Sequence, residues 1–312
     1  MFSVIFPGQG SQLVGMGKEF YDKYDFVKKL FKEADEILQS PLSKLILEGP
    51  KEELDLTVNT QPAIFLISYS IFNIVKNEFN IDLSKAKYFA GHSLGEYSAL
   101  VCSDSLNFED ALFLLHERGK AMQEAVPVGK GSMIAVLGVE TNKIKDLIKL
   151  KQDKGVCEIA NDNADGQVIV SGNKGSVESL QTTLKEKKIK FIPLKVSAPF
   201  HCSLMKPAAD VMRDKISNIN FNNPSFEVVN NVTATPEKNS SIIKKLLIEQ
   251  IFTTVRWRES IINMSKDGIK NFVEIGPGKV LSGMIKRTLS DAKCFSINSI
   301  ADIKNFKDEF KK

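Results

Sequence analysis

A G-x-S-x-G pentapeptide, Gly91-His92-Ser93-Leu94-Gly95, separates the apolar run Tyr88-Phe89-Ala90 from the helix-forming Glu96-Tyr97-Ser98-Ala99-Leu100-Val101. Strand, sharp turn and helix in that order are what a nucleophile elbow requires, so the expected core is α/β-hydrolase-like with a parallel sheet. The glycines let the turn close. The serine then stands exposed above the sheet, at the positive end of the following helix, where backbone N–H groups can meet an oxyanion. The bare motif arises by chance in roughly one chain in ten of this length, so the flanking strand and helix carry the inference. An ordinary strand–turn–helix corner is the bland alternative. Ser93 is the expected nucleophile.

A serine nucleophile needs a base, and the chain offers three histidines. His92 adjoins Ser93 inside the turn, so its side chain should point away. His116 lies in a helix interior, with no loop to aim it. His201 follows a strand-like run at 191–196, in the loop Ser197-Ala198-Pro199-Phe200-His201-Cys202. Loops at strand ends are where α/β folds collect catalytic groups, so His201 is the expected base. A Cys202–His201 nucleophile pair is not expected, because adjacent side chains point to opposite sides.

Residues 107–125 read as one amphipathic helix, with Asn107 as N-cap and Asp110 in the first turn. Its spacing puts Ala111, Leu115, Arg118 and Met122 on one stripe and Phe113, Glu117, Lys120 and Glu124 on a mostly charged one. Arg118 therefore faces inward, where a guanidinium demands an anionic partner. A structural Asp or Glu, a stem reaching back to water, or a substrate carboxylate all meet that demand. Spacing leaves the three open.

Between the elbow and His201 the texture changes. Strand (133–139), helix (143–150), strands (157–160 and 167–171), helix (176–186) and strand (191–196) follow the split order of a ferredoxin-like unit. Residues 128–197 are expected to form this inserted subdomain, and 1–127 with 198–312 a discontinuous large domain, with the site in the crevice between them. Asn161-Asp162-Asn163 reads as a turn, with a crevice lining as the alternative. In the large domain, helices are expected at 18–39, 61–79, 204–216 and 242–251, and strands at 2–6, 226–230 and 272–275. Gly276-Pro277-Gly278 reads as a supporting turn into a final helix from Val280, and Lys185-Glu186-Lys187-Lys188 as the solvated end of a helix.

With 312 residues, 43% hydrophobic and 26% charged, the chain can build one large domain and a smaller unit. Net charge +4 over a mixed surface argues against nucleic acid, while a mild basic bias suits an acidic partner. Cys102, Cys157, Cys202 and Cys294 are too scattered for zinc or a redox dithiol, which fits a reducing compartment. No signal peptide is evident and no apolar run approaches the length of a membrane span, so the expected setting is the cytoplasm, with no membrane partner.

Five blocks in fixed order carry a family likeness. They are Phe6-Pro7-Gly8-Gln9-Gly10-Ser11-Gln12, the elbow through Glu96-Tyr97, Arg118-Gly119-Lys120-Ala121-Met122, Ala198-Pro199-Phe200-His201, and Glu274-Ile275-Gly276-Pro277-Gly278-Lys279-Val280-Leu281. Together the chain resembles the malonyl-CoA:acyl carrier protein transacylases of type II fatty-acid synthesis. The resemblance implies Ser93 as the acylated nucleophile, His201 as its base, and the backbone N–H groups of Gln9 and Leu94 as the oxyanion hole. It implies Arg118 as the clamp on the malonyl carboxylate and the backbone carbonyl of Gln250 as the group that orients the histidine. Phe200 matches the residue that accompanies malonyl rather than methylmalonyl use. Malonyl-CoA and acyl carrier protein are the implied partners of a monomer that needs no cofactor and no metal. One departure is Cys202, where the family often has serine. The rival readings are a serine esterase or thioesterase using the same elbow, and a non-catalytic module that binds a carrier protein.

Overall fold

The computed structural model describes residues 1–149 and 155–310, so the expected helix end at Leu150 lies outside the described residues. The strands are β1 (Phe2–Phe6), β2 (Tyr88–Gly91), β3 (Gly131–Leu137), β4 (Cys157–Ala164) and β5 (Gln167–Asn173), then β6 (Lys190–Pro193), β7 (Glu227–Val229), β8 (Pro236–Glu237), β9 (Asn271–Ile275) and β10 (Lys293–Ile297). A six-stranded sheet runs β10-β9-β1-β2-β7-β8. It is parallel except for the β7–β8 pair at one edge. Every residue of β1 and β2 is buried, as a parallel sheet covered on both faces requires. A second, four-stranded sheet, β4-β5-β3-β6, is antiparallel.

Helix Thr57–Asn73 continues through a π-helical segment, Ile74–Glu78, and corrects one expectation. The run Thr57–Glu78, 22 residues, is long and apolar enough to cross a membrane. It is a core helix, with 78% of its apolar window buried inside the protein. It packs against the sheet and against helix Phe108–Glu124, where Phe65 stacks on Phe108 with ring centroids 5.5 Å apart.

Other expectations shift. The helix expected at 18–39 breaks at Tyr24, whose extended backbone separates Lys18–Lys23 from Asp25–Leu38. Helices Leu42–Glu48, Lys51–Leu54 and Trp257–Lys266 were not foreseen, and helix Val280–Thr288 is not the last element, because β10 and Ile300–Phe310 follow it. Strand β10 lies at the edge of the sheet and is largely half-exposed, so its residues lack the apolar run of a central strand. The turn expected at Asn161-Asp162-Asn163 is strand instead. The Asp162 N–H donates to the Val255 carbonyl at 3.0 Å, and the Val255 N–H to the Ala160 carbonyl at 2.9 Å. Strand β4 pairs with β5 through Ala164, and Val255 bonds to its other edge from outside the sheet, a contact that local sequence cannot reveal.

Candidate active site

Strand β2 ends at Gly91 and helix Gly95–Cys102 begins four residues later. A Cβ on Gly91 would sit 2.0 Å from the Gly95 carbonyl carbon, and one on Gly95 would sit 2.3 Å from the Phe6 carbonyl oxygen. No side chain fits at either place, so both glycines are steric necessities of the turn. Between them Ser93 adopts φ +53°, a left-handed conformation that costs a non-glycine residue about 1–2 kcal/mol. That strain aims its hydroxyl into a cleft lined by Gln9, Leu94, Arg118, His201 and the apolar Phe200.

His201 also has positive φ, +55°, and its ring meets the serine. Ser93 Oγ lies 2.8 Å from His201 Nε2, and His201 Nδ1 lies 2.8 Å from the Gln250 backbone carbonyl. A carbonyl only accepts, so Nδ1 carries the proton and Nε2 is left to accept from the Ser93 hydroxyl. Burial, reinforced by the Arg118 charge, pushes His201 down to about 3. The departure at Cys202 is absorbed locally: its Sγ donates to the Pro199 carbonyl at 3.1 Å, and burial raises its pKa to about 11. It is a packed thiol rather than a nucleophile.

Asn107 caps helix Phe108–Glu124, its side chain accepting from the Asp110 N–H at 2.7 Å. Arg118, on the inward stripe, is only 1% exposed. A Cβ on its neighbour Gly119 would stand 2.5 Å from the Thr57 carbonyl, so glycine there lets the two helices approach closely enough for Arg118 to reach Gln61. Arg118 Nη1 donates to Gln61 Oε1 at 2.7 Å, and Nη2 donates to Gln250 Oε1 at 2.8 Å and to Ser93 Oγ at 3.2 Å. Among the described residues no carboxylate forms an ion pair with it. The guanidinium is held by neutral amides, a cation beside the serine at the wall of the cleft.

The remaining candidates fall into place around this core. Gln9 lines the cleft, its Nε2 donating to Thr57 Oγ1 at 3.4 Å. Its backbone N–H and that of Leu94 donate to no atom among the described residues. His92 turns away from Ser93, its Nε2 lying 2.8 Å from Asn163 Oδ1 and its ring edge-on to Trp257. His116 pairs with Glu117 at 3.3 Å, outside the cleft. Glu274, under the Gly276-Pro277-Gly278 turn, accepts from the Leu281 and Ser282 N–H groups at 3.0 and 2.8 Å. The anion position at that helix start is thus filled by the protein's own carboxylate.

Residues 3–311 match the acyl transferase domain family. The chain belongs to that family. Among its relatives, the malonyl CoA-acyl carrier protein transacylase of Haemophilus influenzae is 42% identical over 310 residues, 99% of this chain and 98% of that one. An acyl carrier protein S-malonyltransferase from Vibrio cholerae superposes with a TM-score of 0.93 at 40% identity, covering 97% of this chain and 99% of the other. A malonyl-transacylase solved in complex with its holo type II PKS acyl-carrier protein superposes at 0.94 with 38% identity, over 99% of both chains.

Further polar residues of this acyl transferase surround the cleft. Gln61 is a buried amide near the head of an apolar helix, where Asn59 and Thr60 also stand, so sequence offered no signal that set it apart. Glu96 is buried behind the elbow, where burial lifts its carboxyl to about 7 against hydrogen bonds from the Asn231 N–H and Gln250 Nε2. Asn161 and Asn163 line the cleft from β4, the alternative that the sequence left open for them. Asn231 reaches the elbow from beyond the end of β7 and gave no signal beyond a polar pair after a strand.

Proposed function

We propose that this chain transfers the malonyl group of malonyl-CoA to the phosphopantetheine thiol of an acyl carrier protein through an ester on Ser93. The observation that carries this reading is the buried Arg118 guanidinium 3.2 Å from the Ser93 hydroxyl, with no carboxylate among the described residues in ion-pair contact with it and Glu96 acting on it only at longer range. A cation beside the nucleophile suits an acyl group that ends in a carboxylate. It serves a neutral ester poorly.

Ser93 Oγ attacks the thioester carbonyl as His201 Nε2 takes its proton. The tetrahedral oxyanion is met by the N–H groups of Gln9 and Leu94, each worth about 3 kcal/mol if it behaves like comparable donors. Collapse expels the coenzyme A thiolate, which takes the proton back from His201. The carrier thiol then gives its proton to His201 and attacks the ester carbonyl, and Ser93 Oγ leaves with that proton. The Gln250 carbonyl keeps the ring in the required tautomer, so no catalytic carboxylate is needed. Arg118 has a second consequence. Its charge helps hold His201 unprotonated in the empty enzyme, and a malonyl carboxylate paired to Arg118 removes that repulsion as the base is called upon.

The site is read as lying between a discontinuous α/β-hydrolase-like domain (1–127 and 198–312) and a ferredoxin-like insert (128–197). The strand order of the small sheet, with a helix between β3 and β4 and another between β5 and β6, supports the second assignment. Four unpaired cysteines support a cytoplasmic setting. The hydrolase alternative is weakened by the same Arg118 and by the carbonyl behind His201. Intact-mass measurement after mixing with malonyl-CoA should give a single malonyl adduct that Ser93→Ala abolishes. An adduct that persists in Ser93→Ala, or rapid loss of the adduct to water without a thiol acceptor, overturns the assignment.

A further inference from the structure

Ser93 holds a strained backbone, and something must over-determine it. On one side the elbow is tied to β1 by the ordinary sheet pattern, the His92 N–H donating to the Phe6 carbonyl at 3.1 Å. On the other side the neighbouring strand has already ended. The β2–β7 register pairs Ala90 with Val229, and the chain then turns away at Asn230. The rung that β7 no longer supplies is supplied by one side chain. Asn231 Oδ1 accepts from the Ser93 N–H at 2.7 Å, and Asn231 Nδ2 donates to the Gly91 carbonyl at 2.8 Å. The amide thus brackets the elbow two residues apart, as a strand backbone would. Asn231 is fully buried, and the clamp is itself clamped. Its own N–H donates to Glu96 Oε2 at 3.0 Å, which also accepts from Gln250 Nε2 at 2.7 Å. Gln250 Nε2 further donates to the Ser93 carbonyl at 3.1 Å, while the Gln250 backbone carbonyl holds His201.

We propose that Asn231 is a positioning residue for acyl transfer, a side-chain substitute for a missing strand that holds the Ser93 backbone in its strained turn. It touches no substrate. By fixing Ser93 it fixes two vectors at once, the hydroxyl toward His201 and the following Leu94 N–H toward the cleft. The amide is specific: one acceptor and one donor, both at fixed reach, match the Ser93 N–H and the Gly91 carbonyl. The inference rests on Ser93 being the acylated residue.

The test is the single-turnover rate of Ser93 acylation by malonyl-CoA, followed by intact mass, in wild type and Asn231→Ala. Malonyl-CoA affinity is measured in parallel in the Ser93→Ala background with and without the second change. Asn231→Ala should slow acylation per active site about ten- to a hundredfold while the dissociation constant for malonyl-CoA stays within about twofold. Should the alanine variant not fold, Asn231→Leu keeps most of the volume, loses both the acceptor and the donor, and should show the same slowing. Unchanged acylation in a folded variant overturns the clamp. So does a loss of affinity equal to the loss of rate, which makes Asn231 general scaffolding. Absence of a Ser93 adduct in wild type is a different failure, that of the acyl-transfer reading itself.

Discussion

Replacing Arg118 by alanine separates its possible roles with one pair of measurements. The guanidinium is 1% exposed and held by Gln61, Gln250 and Ser93, all neutral. A malonyl carboxylate arriving there forms a buried charge pair, and removing one partner of such a pair costs about 3–5 kcal/mol. At 1.36 kcal/mol per decade, Arg118→Ala should cut kcat/KM for malonyl-CoA by about 150- to 5,000-fold. Acetyl-CoA brings no carboxylate and leaves the desolvated cation without an anion, so acetyl transfer should be unchanged or improved. Arg118→Met, which keeps most of the volume, controls for the hole left beside the two amides and should show the same split. The assay is kcat/KM for both thioesters, with acyl carrier protein as acceptor, in the three proteins. If malonyl and acetyl transfer fall equally, Arg118 serves only to hold Gln61 and Gln250, and the clamp is refuted.

Because burial and Arg118 hold His201 down at about 3, kcat/KM for malonyl-CoA should stay flat as pH falls through 6.5, and the acid limb should move toward neutrality in Arg118→Met. A wild-type limb near 6.5 contradicts this. The same depression gives a stability sign: below 6.5 the unfolded chain binds a proton that the folded site refuses, so this contribution is whole above 6.5 and lost toward pH 3. Gly91→Ala should abolish the acyl adduct and lower Tm by several degrees, since its methyl would sit 2.0 Å from the Gly95 backbone; wild-type Tm and rate in that variant would show that the turn tolerates a side chain. Lys279, Lys286 and Arg287 lie exposed on or beside helix Val280–Thr288, whose Val280, Leu281 and Met284 line the cleft. Their triple alanine variant should raise KM for the carrier protein and weaken its salt dependence while leaving the malonyl-CoA half-reaction intact, and an unchanged KM assigns them to an ordinary solvated face.

Sequence alone determined whatever depends on steric or periodic constraint along the chain. Gly91 and Gly95 are legible because a turn this tight admits nothing larger, and the Arg118 stripe is legible because a 3.6-residue period fixes which residues face inward. His201 emerged by elimination among three histidines, and its loop position at a strand end was the deciding local fact. The roles proposed for the Gln9 and Leu94 N–H groups and for Arg118 as a malonyl clamp, and the carbonyl behind His201, had no local signal of their own and came from likeness to a family. Tertiary structure decided what meets what. Asn231 and Glu96 become part of the site only because β7 ends one rung short of the elbow, and Gln61 because Gly119 lets two helices close on each other. Strand β4 runs on through Asn161 and Asn163 because β5 pairs with it as far as Ala164, with Val255 bonded to its other edge from outside the sheet. The run Thr57–Glu78 meets the length and polarity of a membrane span, and only the protein packed around it makes it a core helix. Contacts between residues distant in sequence leave no period and no motif behind, so the partners of a buried polar group appear only when the chain has closed around it.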